Sequence, residues 1–267
     1  MKKILTTKKI RKHKVKEGHA PLQMLTCYDY QSARLLDETE LDLILVGDSL
    51  GNVILGYETT VEVTINEMEI FCSAVKRGAQ NTFVVGDLPF GTYSTLNSAL
   101  ENATHLFQKS KVEAIKLEGA FPHHLEIVER LTQVGIPVMG HIGLTPQSIH
   151  QLGGYYVHGK KAETAKAIMK QAKDLQEAGV FALVLECVDA KLSQEITETL
   201  SIPTIGIGSG SQTDGQVLVL NDLLHLGPEA PPPICRPITN LYQVKKQFIE
   251  GYLAGQKEVT KEQPTLH

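Results

Sequence analysis

A run of apolar residues that ends in a carboxylate constrains the fold of this chain more than any other stretch. Leu43-Ile44-Leu45-Val46 leads directly into Gly47-Asp48-Ser49. A short continuous apolar run is typical of a strand buried on both faces of a parallel sheet. Ligands bind at the carboxyl ends of such strands in α/β folds. The stretch therefore places Asp48 and Ser49 where a ligand would meet the sheet.

The same order, an apolar run followed by a polar residue, recurs along the chain. Strands are predicted at residues 22–28, 43–47, 82–86, 114–117, 137–139, 182–185 and 203–207, with an ambiguous eighth at 216–220. Stretches with helical spacing separate them. This alternation matches one (β/α)8 TIM barrel, a fold that takes about 250 residues. An open doubly wound sheet is the alternative, but no Gly-x-Gly-x-x-Gly follows the first strand.

No shift in composition divides the chain, so residues 1–267 are predicted to form a single barrel domain. A helix is expected at about 7–17 and another at about 240–253, followed by a polar, frayed tail at 255–267. The five prolines within residues 228–237 exclude regular structure there. The basic run at residues 8–14 is interpreted as the solvated face of the first helix, with a nucleic-acid-binding arm as the alternative.

Bulk properties exclude several classes of partner. A formal net charge of −4 argues against nucleic acid or an anionic membrane surface. No window approaches the ~18 apolar residues of a membrane span, and no apolar segment follows the first lysines as in a signal peptide. Four widely spaced cysteines without a C-x-x-C pair are expected to be reduced, buried thiols. We therefore expect a cytoplasmic protein.

Polar residues at the predicted strand ends make up the candidate site. They are Asp48, Ser49, Asp87, Glu118, His141 and Glu186. In a barrel all of these ends lie at one face, so the side chains are expected to share one cavity. Carboxylates without clustered cysteines or paired histidines suit Mg²⁺. Lys116 precedes Glu118 by two residues, which puts both side chains on the same face of a strand.

Each of these residues also has a purely structural interpretation. A lone Asp after a strand is usually a turn former or a helix cap. Lys116 and Glu186 are candidates for structural ion pairs, and His141 for a core histidine bonded to the backbone. The glycines at 206–210 fit either a phosphate-binding loop or close packing of a strand. Loop aromatics offer walls for a flat ligand: Tyr28, Tyr57, Phe90, Tyr93, Tyr155 and Tyr156.

Seven motifs in register add a resemblance to a known family. They are Leu25-Thr26-Cys27-Tyr28-Asp29, Leu45-Val46-Gly47-Asp48-Ser49-Leu50-Gly51, Asp87-Leu88-Pro89-Phe90, Lys116-Leu117-Glu118-Gly119, Gly140-His141-Ile142-Gly143-Leu144-Thr145-Pro146-Gln147, Leu185-Glu186-Cys187 and Ile205-Gly206-Ile207-Gly208 followed by Asp214-Gly215-Gln216. Together they resemble the ketopantoate hydroxymethyltransferase family over about residues 6–237. Departures from the family pattern are Ala120, Ser209 and the proline-rich segment 231–237, and none removes a candidate catalytic side chain.

The resemblance implies a (β/α)8 barrel of the phosphoenolpyruvate/pyruvate type that uses Mg²⁺. It also implies 5,10-methylenetetrahydrofolate and 3-methyl-2-oxobutanoate as small-molecule substrates, a place in pantothenate synthesis, and a homo-oligomer, typically a decamer. By motif, Asp48 and Asp87 are expected to bind the metal, with Glu118 in the metal shell. Ser49 and Lys116 are expected to contact the 2-oxo acid, with His141 as a hydrogen-bond partner. Glu186 is expected to transfer the proton.

Three other functions stay open at this point. A Mg²⁺-dependent carbon–carbon lyase or mutase would act on a 2-oxo acid on the same type of barrel, and dependence on folate distinguishes it. A phosphate-binding barrel would use residues 206–210. A non-catalytic assembly protein would have no reason to keep Asp48, Asp87, Lys116 and Glu186 together.

Overall fold

Eight parallel strands close into a barrel in chain order, with β1 beside β8. The computed structural model describes residues 4–262, and side chains as far as residue 256. The strands are β1 Leu22–Thr26, β2 Leu43–Val46, β3 Phe83–Asp87, β4 Ala114–Glu118, β5 Val138–Gly143, β6 Ala182–Glu186, β7 Thr204–Ile207 and β8 Gly215–Leu218. The predicted barrel is confirmed, and the ambiguous eighth strand is present one residue earlier than expected.

The helices are α1 Thr7–Arg11, α2 Tyr30–Asp37, α3 Ile65–Gly78, α4 Leu96–Ser110, α5 Pro122–Gln133, α6 Ile149–Leu152, α7 Ala162–Ala178, α8 Ala190–Thr199, α9 Leu220–Leu223 and α10 Leu241–Glu262. Helices α2 to α8 lie in the connections between successive strands from β1 to β7, whereas α1 precedes β1, and α9 and α10 follow β8. Thr64 and Glu67 form a capping box at the start of α3, in which each side chain satisfies the other residue's backbone N–H. The long connection after β5 contains a short turn of helix at Pro146–Ser148.

Alternation along the strands fills the barrel with apolar side chains and leaves polar ones at its mouth. On β3, Phe83 and Val85 belong to the buried core, and Asp87 follows on the same face. On β5, Met139 belongs to the core and His141 follows it. The packed apolar layers therefore form the floor on which the polar layer stands.

The register between neighbouring strands brings the polar residues side by side. Asp87 pairs with Lys116 across β3 and β4, and Glu118 pairs with His141 across β4 and β5. Glu186 pairs with the last residue of β5. Four consecutive strands thus present charged side chains at one end of the barrel.

The N-terminal segment differs from its prediction. Helix α1 ends at Arg11, and a separate 3-10 turn follows at Val15–Glu17. Between them Lys14 is extended, and its side chain is 1% exposed. The interpretation of residues 8–14 as one solvated face is therefore wrong at this lysine.

Lys14 is buried because it has a complete set of partners in the last part of the barrel. Its Nζ lies 2.5 Å from Asp214 Oδ2 and donates to the carbonyl oxygens of Thr197 and Ile202 at 2.8 and 3.0 Å. Asp214 also accepts from the backbone N–H of Val15. A buried ion pair is tolerated only when such hydrogen bonds satisfy both partners. The segment before β1 is thereby tied to the segment before β8.

The chain forms two compact units. The first ends at Val219 and contains the whole barrel, and the second begins at Leu220. In the second unit, the start of α10 hydrogen-bonds back to residues 224 and 225. Helix α10 continues to Glu262, beyond the predicted end at about 253, and residues 263–267 lie outside the described residues. Fraying of the tail stays a prediction. The single domain over the full chain stays a prediction.

The four cysteines are buried and unpaired, as expected for reduced thiols. Over the described range, none of the helices combines the length and apolar character that crossing a bilayer requires.

Candidate active site

Three carboxylates meet at the mouth of the barrel. Asp48, Asp87 and Glu118 each offer an oxygen, and these oxygens lie within 4.8 Å of one another. All three residues are at most 4% exposed. Asp48 follows β2, and its backbone N–H donates to Asp87 Oδ2 at 3.4 Å. The cluster predicted from the strand ends is present, and hard oxygen donors of this kind suit Mg²⁺.

Burial makes this concentration of negative charge costly. It raises the pKa of Asp48 well above its usual value, and the charges of Asp87 and Glu118 raise it further. Burial also raises the pKa of Asp87, although Lys116 works in the opposite direction. A divalent cation would relieve both effects, because it favours the ionised form of each carboxylate.

Lys116 and His141 are the positively charged side chains that contact the carboxylates. Lys116 Nζ lies 2.8 Å from Asp87 Oδ2 and 3.6 Å from Glu118 Oε1. His141 Nδ1 lies 3.1 Å from Glu118 Oε1. Burial disfavours the charge on His141, but Glu118 outweighs it and the pKa of His141 rises to about 9. Burial also opposes ionisation of Glu118, but His141 and Lys116 together hold its pKa below the usual value.

Glu186 approaches the cluster from the far side of His141. Its Oε2 lies 3.3 Å from His141 Nε2, and its side chain is 16% exposed. It is thus the carboxylate in this group with access to the open mouth. The residue that follows, Cys187, has a φ of 49°, which is rare for a residue with a side chain. Such strain is typical of a backbone held in place at a functional site.

Gly143, which pairs with Glu186, has no room for a side chain. Gly143 at the end of β5 has a φ of 98°, and a Cβ there would lie 2.2 Å from the carbonyl oxygen of Glu186. The backbone N–H of Leu144 donates to the same oxygen at 2.8 Å. The end of β5 therefore fixes the backbone that carries Glu186.

Ser49 lies at the mouth and is half-buried. Its Oγ is 2.8 Å from the hydroxyl of Tyr28, which is 3% exposed. Tyr28 therefore orients the serine hydroxyl. The roles of Ser49, Lys116, His141 and Glu186 toward a substrate stay predictions.

The sequence interpretation missed Gln147 and did not distinguish Tyr93 from other loop tyrosines. Gln147 Nε2 donates to Asp48 Oδ2 at 2.8 Å, and its own Oε1 accepts from the Tyr93 hydroxyl. Burial, together with Glu118 and Asp87, holds the pKa of Tyr93 well above its usual value, so the hydroxyl keeps its proton. The sequence signal that could have identified Gln147 is its place in the longest family motif, residues 140–147.

The glycine-rich stretch after β7 is packed against its neighbours. A Cβ at Gly206 would lie 2.8 Å from Thr213 Oγ1, and one at Gly210 would lie 2.7 Å from the Ala190 side chain. Ser209 is 1% exposed and donates to the carbonyl oxygen of Leu185. Of the two interpretations of residues 206–210, this geometry favours close packing.

The loop aromatics differ in exposure. Tyr28 and Tyr93 are buried, with Tyr28 bonded to Ser49 and Tyr93 to Gln147. Tyr57 is half-buried, and Phe90, Tyr155 and Tyr156 are 51%, 71% and 51% exposed. Burial of part of the residue raises the pKa of Tyr155, and the charges of Glu186 and Asp48 raise it further. Tyr155 lies in the loop after β5, and its ring is exposed at the rim of the site.

Comparison with known proteins decides between the families that share such a barrel. The family model described as ketopantoate hydroxymethyltransferase matches residues 5–263. The chain belongs to the ketopantoate hydroxymethyltransferase family. It is 48% identical over 245 residues to a 3-methyl-2-oxobutanoate hydroxymethyltransferase of Bacillus thuringiensis (strain Al Hakam), covering 91% of this chain and 88% of the relative. The family resemblance expected from the motifs is confirmed.

Solved structures show the same fold at low sequence identity. A phosphoenolpyruvate phosphomutase from Streptomyces platensis subsp. rosaceus gives a TM-score of 0.64 at 12% identity, covering 94% of this chain and 89% of that one. A phosphonopyruvate hydrolase in complex with oxalate and Mg²⁺ gives a TM-score of 0.65 at 9% identity, covering 98% and 93%. These similarities confirm the (β/α)8 barrel fold.

The residues present fit a divalent cation. Asp87 Oδ1 is buried and has no hydrogen-bond partner among the described residues. An unsatisfied carboxylate oxygen in a buried cluster is costly unless a cation binds it. Asp48, Asp87 and Glu118 would hold the ion, directly or through water.

We expect Mg²⁺ to stabilise the folded protein through this cluster. A ligand that binds only the native state at 100 times its Kd adds about 2.7 kcal/mol to the free energy of unfolding. Thermal denaturation with increasing MgCl₂, against EDTA, measures the shift. Asp87→Asn removes a ligand and should lose most of it, whereas Asp174→Asn, on the surface pair with Lys170, should keep it. An equal shift in both variants would place the cation elsewhere.

Proposed function

We propose that this chain transfers a hydroxymethyl group from 5,10-methylenetetrahydrofolate to 3-methyl-2-oxobutanoate, giving 2-dehydropantoate for pantothenate synthesis. The observation that carries the proposal is the buried cluster of Asp48, Asp87 and Glu118 beside Lys116, in a member of this family. A 2-oxo acid presents two adjacent oxygens, and a cation with few protein ligands leaves positions open for both.

Activation of the substrate at C3 depends on the charge of the site. When bound, Mg²⁺ supplies a Lewis acid that stabilises negative charge developing on the keto oxygen. Lys116 adds a fixed positive charge beside Asp87. Ser49, held by Tyr28, is placed to donate to the substrate carboxylate. Because these groups are buried or half-buried and already oriented, they need little reorganisation during the reaction.

Glu186 is the proposed base. It is more exposed than the three metal-binding carboxylates and is not required for the cluster, so it is free to accept the C3 proton. His141, whose Nε2 lies 3.3 Å from Glu186 Oε2, offers a positive charge beside that carboxylate. The resulting C3 carbanion equivalent attacks the methylene carbon of the opened iminium form of the folate. A carbon–carbon bond forms, the iminium electron pair returns to nitrogen, and water then displaces tetrahydrofolate to leave the hydroxymethyl group.

The folate must reach the site from the open end of the barrel. Phe90 follows Asp87 by three residues on the rim, and Tyr155 lies on the loop after β5. Exposed aromatic faces at this position suit stacking of a flat ring system. We propose that the pterin ring enters between these loops.

Turnover should require a metal, 3-methyl-2-oxobutanoate and methylenetetrahydrofolate together. We expect 2-dehydropantoate and tetrahydrofolate in equal amounts, and loss of activity with EDTA. Coupled detection of both products by chromatography measures this. Cleavage of a 2-oxo acid without folate would instead support the alternative carbon–carbon lyase or mutase.

Glu186→Gln should stop hydrogen exchange at C3 of the substrate. In D₂O without folate, wild-type protein is expected to exchange the C3 hydrogen, and loss of a general base costs about 10²–10⁴-fold. Proton NMR of 3-methyl-2-oxobutanoate follows the exchange. Glu195→Gln, an exposed change on α8, is the matched control. Undiminished exchange in Glu186→Gln would assign the proton transfer to another group.

We further propose that the protein is a homo-oligomer, with a decamer as the family expectation, in the cytoplasm. Helix α10 exposes large apolar side chains, including Phe248 at 77%, Tyr252 at 66% and Ile249 at 59%. A row of this kind is typical of a surface that binds another protein. The four free thiols support a reducing compartment.

Light scattering on the purified protein should give a mass well above the 29.3 kDa of one chain. The double variant Phe248→Ser/Tyr252→Ser should have a lower mass, because it removes two large apolar side chains from the proposed contact surface. Lys246→Ser on the same helix is the control. A monomeric wild-type protein would contradict the proposal.

A further inference from the structure

Among the described residues, Gln147 is the uncharged one that makes the most hydrogen bonds to the carboxylate cluster. It lies on the short turn Pro146–Ser148 after β5 and is 4% exposed. Its side-chain NH₂ group donates to Asp48 Oδ2 at 2.8 Å and to the carbonyl oxygen of Leu88 at 2.9 Å. Its backbone N–H donates to Glu118 Oε2 at 3.2 Å. One residue therefore binds two of the three carboxylates and the residue next to the third.

The surroundings fix which way the amide points. Asp48 Oδ2 and the Leu88 carbonyl both accept hydrogen bonds, so the NH₂ group must face them. The amide oxygen then faces the Tyr93 hydroxyl, which donates to it. Both amide protons and the amide oxygen are used, and no free rotation is left to the side chain.

Tyr93 completes the connection. Its hydroxyl oxygen lies 3.4 Å from the backbone nitrogen of Glu118, which donates to it. Its side chain is 7% exposed and packs 5.8 Å from the ring of His124. Tyr93, on the loop after β3, therefore bonds the amide oxygen of Gln147, while Asp48 bonds the amide nitrogen.

We propose that Tyr93 and Gln147 are positioning residues that hold the Asp48 and Glu118 carboxylates in the orientation a divalent cation requires. The inference deepens the proposed function, on which its catalytic meaning rests. Groups that orient metal ligands through a hydrogen bond typically change metal affinity by about 10–100-fold when removed. Neither side chain carries a charge, so removal leaves the net charge of the cluster unchanged and takes away hydrogen bonds that hold its carboxylates.

Manganese binding tests the proposal directly. Mn²⁺ takes the same oxygen ligands as Mg²⁺, and the free ion is counted by electron paramagnetic resonance. Tyr93→Phe and Gln147→Met should each weaken Mn²⁺ binding by about 10–100-fold. Because the two residues act through one hydrogen bond, Tyr93→Phe should have a much smaller effect in the Gln147→Met background. In Tyr57→Phe the lost hydroxyl donates to Glu67 and to none of the three carboxylates, so this variant should bind as wild type does.

Two further measurements separate positioning from loss of structure. Thermal unfolding in EDTA should differ little between Tyr93→Phe and the Tyr57→Phe control. Excess Mg²⁺ should restore most turnover to Tyr93→Phe, which a distorted fold would not allow. Unchanged Mn²⁺ affinity in the variants, or additive effects in the double variant, would overturn the proposal. Absence of Mn²⁺ binding in the wild-type protein would instead contradict the metal site on which the proposed function rests.

Discussion

The compensation of buried negative charge is the constraint on which this structure depends. Three carboxylates lie together where little water reaches them, against the positive charges of Lys116 and His141. A close-packed barrel can hold such a group because neighbouring strands deliver the opposite charges in register. When these three carboxylates are ionised, Lys116 and protonated His141 leave one negative charge uncompensated, and this charge attracts a cation to the mouth.

The barrel separates stability from chemistry along the length of its strands. The lower layers are apolar and make up the buried core, so they gain the free energy of burial that any fold needs. The layer at the mouth of the barrel is polar and gains little free energy from burial. The chain can therefore keep strained or charged groups at the mouth, such as the positive φ of Cys187 beside Glu186, because the layers below fix the strands that carry them.

The sequence predicts the site residues that lie at the end of a strand or directly after it, and misses those in the longer connections. Asp87, Lys116 and Glu118 follow apolar strand residues at a spacing of two, so their shared cavity could be inferred. Gln147 and Tyr93 lie in connections between strands, where no period relates position to direction. Lys14 was misjudged for another reason. Its burial depends on Asp214, 200 residues later, and a basic run gives no sign of such a partner.

The 200 residues that separate Lys14 from Asp214 in the sequence also affect the newly made chain. Strand β1 finds one of its two neighbours in β8, through pairs such as Leu22 with Gly215, and Lys14 finds its counter-ion only in Asp214. At about 5–20 residues per second, the ribosome needs on the order of 10–40 s to make the intervening segment. During that time β1 has an open edge that other strands can pair with. Closure of the ring, and burial of the lysine with it, cannot happen before β8 has been made.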